Sequence, residues 1–220
     1  MQLDALTFLR KLAVSHPESG VRITEITDVN HHIDSVDNVW FRDKNLPGYR
    51  VVDDPQEKEA ALRGAKGGVV VKYDSIVTNP GVLLPWLRKQ LEESGVDFRR
   101  IPTVGSLAEV AEFLGLRGDD DDILINASGL ANMTLADVRD DKMICDRTYT
   151  TLVESDYKGS FLRRGPVKNV YTYFFGRGDG TAVLGGVSEA VDCEVRRKEG
   201  VREIVSCSTA SSFLVLLILI

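Results

Sequence analysis

Cysteine, histidine and tryptophan are scarce in this 220-residue chain, with three, three and two copies. Cys145, Cys193 and Cys207 are too few and too widely spaced for a disulfide framework or a zinc site, and a reducing compartment fits them best. His31 and His32 are neighbours, so they point to opposite faces of a strand and do not face one another on a helix. They read as loop histidines, and no metal is expected. Basic charge is in deficit, with 27 Lys and Arg against 33 Asp and Glu and a formal net charge of −6. That excludes a global field able to hold phosphate backbones or anionic lipid, so no nucleic-acid partner is expected. The segment from Met1 to Ala5 has no basic stretch leading into an apolar core, so no signal peptide is expected. Phe213 to Ile220 is an apolar run of eight residues. A membrane-spanning helix needs ~20, so no membrane span is expected, and 207–220 reads as an atypical apolar tail. Internal repeats, low-complexity linkers and an obvious acid–base cluster are all missing.

What the chain does have is an alternation of helical and strand-like stretches. Leu3 to Val14 spaces its apolar residues as an amphipathic helix, closed by Pro17 and Gly20. Val21 to Ile26 alternates as a half-buried strand, and Gly67 to Tyr73 reads as a buried one. Trp40, Phe41 and Tyr49 flank a Pro47-Gly48 turn. Asn79 caps, and Pro80 opens, a helix to about Ser94, with Pro85 inside it displacing the start or kinking the axis. Val96 to Ile101 is the next predicted strand. Ser106 and Glu109 form a capping-box pattern opening a helix to about Leu114.

The chain is organised around the stretch that follows. Four acids, Asp119 to Asp122, stop at the apolar triplet Ile123-Leu124-Ile125, which runs into Asn126, Ala127, Ser128 and Gly129. The triplet predicts a buried strand at the centre of a parallel sheet, with small residues beyond it that let a ligand approach the backbone. A tight turn with no ligand is the other reading of these residues. Past Gly129 the pattern becomes antiparallel. Thr148 to Val153 alternates, and Asn169 to Phe175 and Thr181 to Leu184 flank Gly176 to Gly180 as a hairpin, with Gly185-Gly186 ending the second run.

Together these segments resemble the D-amino-acid oxidase family of the fungal type. The resemblance is carried by Trp40-Phe41-Arg42-Asp43 with Pro47 to Arg50, by Val71 to Ser75, by Leu84 to Leu91 with Gly95 to Phe98, by Val104 to Leu107, by Ile125 to Leu130, and by Tyr173 to Gly180 with Leu184-Gly185-Gly186. It covers roughly residues 2 to 190. It implies an α/β fold: an incomplete FAD-binding parallel sheet with a second, mainly antiparallel substrate-domain sheet. Residues 1–145 would hold the partial FAD-binding region with interleaved substrate-domain strands near 20–75, and 146–190 the antiparallel substrate-domain region. It implies FAD as cofactor, a D-amino acid and oxygen as small-molecule partners, and oxidative deamination to a 2-oxo acid, ammonia and hydrogen peroxide. The expected setting is intracellular, cytoplasmic or peroxisomal.

Residue by residue, the resemblance places Val104 at the adenine end of FAD and Ala127, Ser128 and Gly129 along the cofactor. It makes Tyr173 the catalytic-site tyrosine whose hydroxyl approaches the substrate carboxylate, with Tyr171 a weaker candidate on the same strand face. The chain also departs from the family. No G-x-G-x-x-G turn occurs to receive the pyrophosphate. Arg147-Thr148-Tyr149 stands where the family has Arg-Gly-Gln. The family's carboxylate-clamping arginine lies in a later strand, and Arg177, in a turn, does not replace it. Weak or no FAD binding by the isolated chain is therefore expected. The alternative is a non-catalytic remnant that self-associates through an exposed sheet edge or the apolar tail.

Overall fold

The structure, a computed structural model, describes residues 2–62, 67–116, 123–165 and 170–191. It divides into two compact units, one made of Met1–Trp86 and Arg147–Glu189 and the other built on Leu87–Asp146.

The first unit opens with α1 (Gln2–Ser15), which buries Leu12. A 3-10 turn, Pro17–Ser19, follows, and Gly20 takes φ 75°. A Cβ on Gly20 would lie 2.7 Å from Val82 Cβ, so backbone conformation and packing both demand glycine. The seven strands are β1 (Val21–Asn30), β2 (Arg50–Val51), β3 (Val69–Thr78), β4 (Cys145–Glu154), β5 (Ser160–Arg164), β6 (Val170–Gly176) and β7 (Thr181–Val191). They form one sheet in the order β2-β3-β1-β5-β6-β7-β4. β1 and β3 pair antiparallel along their whole length, from Val21 opposite Thr78 to Asn30 opposite Val69. β1 and β5 run parallel, and β5, β6 and β7 are successively antiparallel. The fold is thus mixed α/β, with a mostly antiparallel sheet and one parallel pair among the described residues.

The run Val69-Val70-Val71 shows why this sheet is stable. Successive side chains alternate faces, so a continuous apolar run serves a sheet covered on both sides. Val69 and Val71 join Val39 and Phe41 on one face, with Tyr49 and Tyr73 packed around them. Val70 joins Val29 and Val52 on the other, beneath Ala61 and Leu62 of α2 (Pro55–Leu62). The hairpin turn between β6 and β7 is fixed by Asp179, which accepts from Thr181 N at 3.0 Å and from Asn79 Nδ2 at 2.6 Å.

Several expectations are corrected. Ile123-Leu124-Ile125 is not a strand and does not occupy the sheet's centre, which falls at β5. Ile123 and Ile125 are 51% and 43% exposed. An apolar triplet becomes a strand only when another strand accepts its ladder, and no described strand does. Val96 to Ile101 is likewise irregular; Phe98 is covered by the Arg88 guanidinium, 4.8 Å from its centroid, instead of by a sheet. Gly185-Gly186 does not end a strand, since β7 continues to Val191. α3 starts at Pro80 and continues through Pro85 to Glu93, so its start is not displaced. Cys145 is 2% exposed and disulfide-bonded. Asp119 to Asp122, Asn169, Cys193, Cys207 and the apolar tail lie outside the described residues.

Candidate functional site

In the first unit, one sheet face gathers the chemistry. Register places Asp28 opposite Leu162 and Leu162 opposite Tyr173, so the three share a face. The β6 residues on it, Tyr171, Tyr173 and Phe175, form a stacked row: ring centroids are 6.0 Å apart for Tyr171 and Tyr173, and 4.9 Å for Tyr173 and Phe175. The neighbouring glycines make that row possible. A Cβ on Gly185 would lie 2.5 Å from Tyr173 Cζ, and one on Gly186 would lie 2.6 Å from Tyr171 Cε2. The rings therefore lie flat on the β7 backbone where no other residue would admit them.

Tyr173 is half-buried, and its hydroxyl has no protein partner among the described residues. Burial, and secondarily Tyr171, raises its pKa above that of an ordinary phenol, which keeps the hydroxyl protonated and a donor. Beside the row, β1 supplies Asp28, which is fully buried. Its carboxylate accepts from Arg164 Nε at 3.3 Å and Nη2 at 3.2 Å, from Asn30 Nδ2 at 2.8 Å and from Tyr73 Oη at 3.5 Å. Burial, followed by the Asp28 charge, pushes the Tyr73 hydroxyl up. Arg164 stands directly opposite Tyr171. Sequence reasoning missed this cluster. Asp28 lies two residues past the alternating stretch and Arg164 far along the chain, so only strand pairing joins them.

In the second unit, the predicted cofactor residues lie on loops around α4 (Leu107–Leu114). Ser106 Oγ accepts from Glu109 N at 3.1 Å, and the Glu109 carboxylate reaches back to Gly105 N at 2.9 Å. This is the expected capping box, shifted by one residue at its acidic end. Asp137 accepts from Leu107 N at 3.1 Å and Ala108 N at 3.0 Å, and these bonds lower its pKa. The amides of Leu107, Ala108 and Glu109 are therefore held by the chain's own carboxylate and hydroxyl and are not offered to a phosphate. Ser128 donates to Asn126 Oδ1 (2.8 Å) or Asn132 Oδ1 (2.7 Å), while Asn126 Nδ2 donates to Asn132 Oδ1 at 2.6 Å. Its hydroxyl is thus engaged within the loop. Val104 is half-buried and its backbone polar groups are unpartnered among the described residues; Ala127 and Gly129 are exposed, and Gly129 takes φ 59°. Ala136 N donates to Gly105 O at 2.8 Å, tying the Val104 loop to the segment that follows Gly129.

Elsewhere, His31 Nδ1 lies 3.2 Å from Gly67 O, and no group of three potential metal ligands occurs among the described residues. No helix among them is long and apolar enough to cross a membrane. Arg177 lies in the β6–β7 turn, its Nη1 3.5 Å from Asn79 Oδ1.

A clamped phenol with a free hydroxyl, and a loop of small residues, are parts suited to an oxidoreductase that leaves the difficult chemistry to a cofactor. The family described as DAO, FAD dependent oxidoreductase, matches residues 1–206. The chain belongs to this FAD-dependent oxidoreductase family. The residues present fit such a cofactor in part. Val104, with its unpartnered backbone amide and carbonyl, and the exposed Ala127 and Gly129 suit a flat ring system held through the main chain, whereas the Ser128 amide and carbonyl are already bonded to Asn126 and Ala131. The occupied N-terminus of α4 does not suit a pyrophosphate.

Proposed function

We propose that the protein is an oxidoreductase of the D-amino-acid oxidase type, converting a D-amino acid and oxygen to a 2-oxo acid, ammonia and hydrogen peroxide in an intracellular setting, cytoplasmic or peroxisomal. The observation that carries this reading is Tyr173: its ring is locked between Tyr171 and Phe175 over Gly185, while its hydroxyl is uncommitted. A rigid phenol kept in its protonated form is a directional donor to a substrate carboxylate oxygen. Bound FAD would supply the acceptor for the hydride that leaves the substrate Cα. The chain's own residues bind and orient: Tyr173 holds the carboxylate, Tyr171 and Phe175 fix its ring, and Val104 with Ala127, Ser128 and Gly129 borders the cofactor. The test is a peroxide assay on the full chain with added FAD and both enantiomers of alanine and aspartate, together with glycine. Peroxide from D- but not L-substrates is expected, with Tyr173→Phe raising KM about tenfold, the worth of one charge-assisted bond. Peroxide from L-substrates, or from none, overturns the reading.

A second reading, a non-catalytic association module, is favoured by β4. It is a ten-residue strand at the sheet's edge, mostly exposed, with Tyr149 and Leu152 43% and 48% accessible. Long exposed edges template pairing with another chain. Size-exclusion chromatography decides: a concentration-dependent dimer lost in Leu152→Lys supports this reading, and a monomer at all concentrations removes it.

A further inference from the structure

A cleft of about 650 Å³ lies between α1 and the Lys44–Pro47 segment of the first unit. Leu3, Leu6 and Val14 form one wall, and Ile23 and Leu46 another. Its charged lining is Arg10, Lys11 and Lys44; no Asp or Glu lines it, in a chain where acids outnumber bases 33 to 27. Neither lysine is ion-paired among the described residues. Arg10 Nη2 has only a long contact with Asp74 Oδ2, at 3.9 Å, and Arg10 Nη1 is buried with no protein acceptor.

These features conflict within the protein alone. A buried guanidinium nitrogen without an acceptor is destabilising, and Leu3 and Val14 are 43% and 74% exposed beside it. A molecule with an anionic head and an apolar body suits this lining: its head meets the accessible part of the Arg10 side chain, which is 25% exposed, and its body covers Leu3 and Val14. The planar donor fork of arginine matches a carboxylate, and the volume lies within the ~300–1,000 Å³ usual for small-ligand sites. We propose that this cleft binds an amphiphilic carboxylate, with Arg10 on the head group, Lys11 and Lys44 supplying the surrounding positive field, and Leu3, Leu6 and Val14 against its apolar chain. The site shares no residue with the tyrosine face, so it stands or falls separately from the flavin reading.

The test is isothermal titration calorimetry of the full chain with monomeric decanoate, decanol and inorganic phosphate, and with phosphatidylglycerol vesicles. Saturable one-to-one binding of decanoate is expected, with decanol and phosphate each about tenfold weaker or more, as the loss of a charge-assisted bond or of the apolar contact requires. Arg10→Gln should weaken decanoate binding by about tenfold or more, and Lys44→Glu, on an exposed loop, by several-fold at low salt. The proposal is overturned by absence of saturable decanoate binding, by equal affinity for decanoate and decanol, by unchanged affinity in Lys44→Glu, or by binding to vesicles alone. Should Arg10→Gln fail to fold, the decanol comparison and Lys44→Glu decide the matter.

Discussion

Replacing Asp28 with Asn removes one negative charge and changes almost nothing in shape. Asp28 is fully buried and closed to water, and its two oxygens satisfy Arg164, Asn30 and Tyr73 together. An asparagine there puts an amide N–H₂ against one of those donors and leaves the Arg164 guanidinium without a countercharge. Breaking a buried pair in this way costs about 3–5 kcal/mol. The Arg164 side chain is 36% exposed and can regain some hydration, so the lower end, about 3 kcal/mol, is expected. Against a total stability of about 5–15 kcal/mol that is a large fraction. With a urea slope near 2 kcal/mol/M, the unfolding midpoint of the first unit should fall by about 1.5 M. The assay is urea unfolding followed by near-ultraviolet circular dichroism, which reports the Tyr171–Tyr173–Phe175 row. A cycle with Arg164→Gln sharpens it: the double variant should be little worse than either single one, giving a coupling of about 1.5–3 kcal/mol. A loss below about 1 kcal/mol in Asp28→Asn, or additive losses in the cycle, would refute the claim that this pair anchors β1 to β5.

Gly185→Ala sets a Cβ 2.5 Å from Tyr173 Cζ, so it should displace the ring, cost about 1–3 kcal/mol and reduce the near-ultraviolet aromatic signal, which thermal unfolding and circular dichroism would register. Glu57 is held by Arg50 (2.8 Å) and then Lys72 (2.7 Å), which lower its pKa from 4.5 to about 2. Because the folded value is the depressed one, its stabilising contribution is complete above pH 4.5 and fades as pH falls toward about 2; a carbon-detected titration of the Glu57 carboxylate should show the low midpoint, and Arg50→Gln should move it upward. Ser106→Ala deletes the N-cap of α4 and should cost about 0.5–2 kcal/mol, seen as faster amide exchange confined to the first turn. Asp137 has a lowered pKa through its bonds to Leu107 N and Ala108 N, so the protection of those two amides, measured relative to their intrinsic exchange rates, should fall only once the pH drops below the usual carboxylate range.

The sequence alone determined the parts governed by neighbours in the chain. Helix α1 and its closing Pro17–Gly20, the Asn79 cap with Pro80, the Ser106–Glu109 box and the Gly176–Gly180 hairpin all follow from local capping, backbone freedom and periodicity, and each is present. The mixed α/β class and membership of an FAD-dependent oxidoreductase family were readable as well, because the order of many short segments survives even where single segments are misjudged. Tertiary structure decided whatever depended on a partner far along the chain. Ile123-Leu124-Ile125 and Val96 to Ile101 have the composition of strands, yet a strand exists only where another backbone completes its ladder, and none of the described ones does so. The two glycines after Leu184 look like a stop, but rings from β6 lie over them and the strand runs on. Asp28 and Arg164 stand 136 positions apart, so pairing of β1 with β5 alone turns an ordinary acid and base into the buried centre of the face that carries Tyr173.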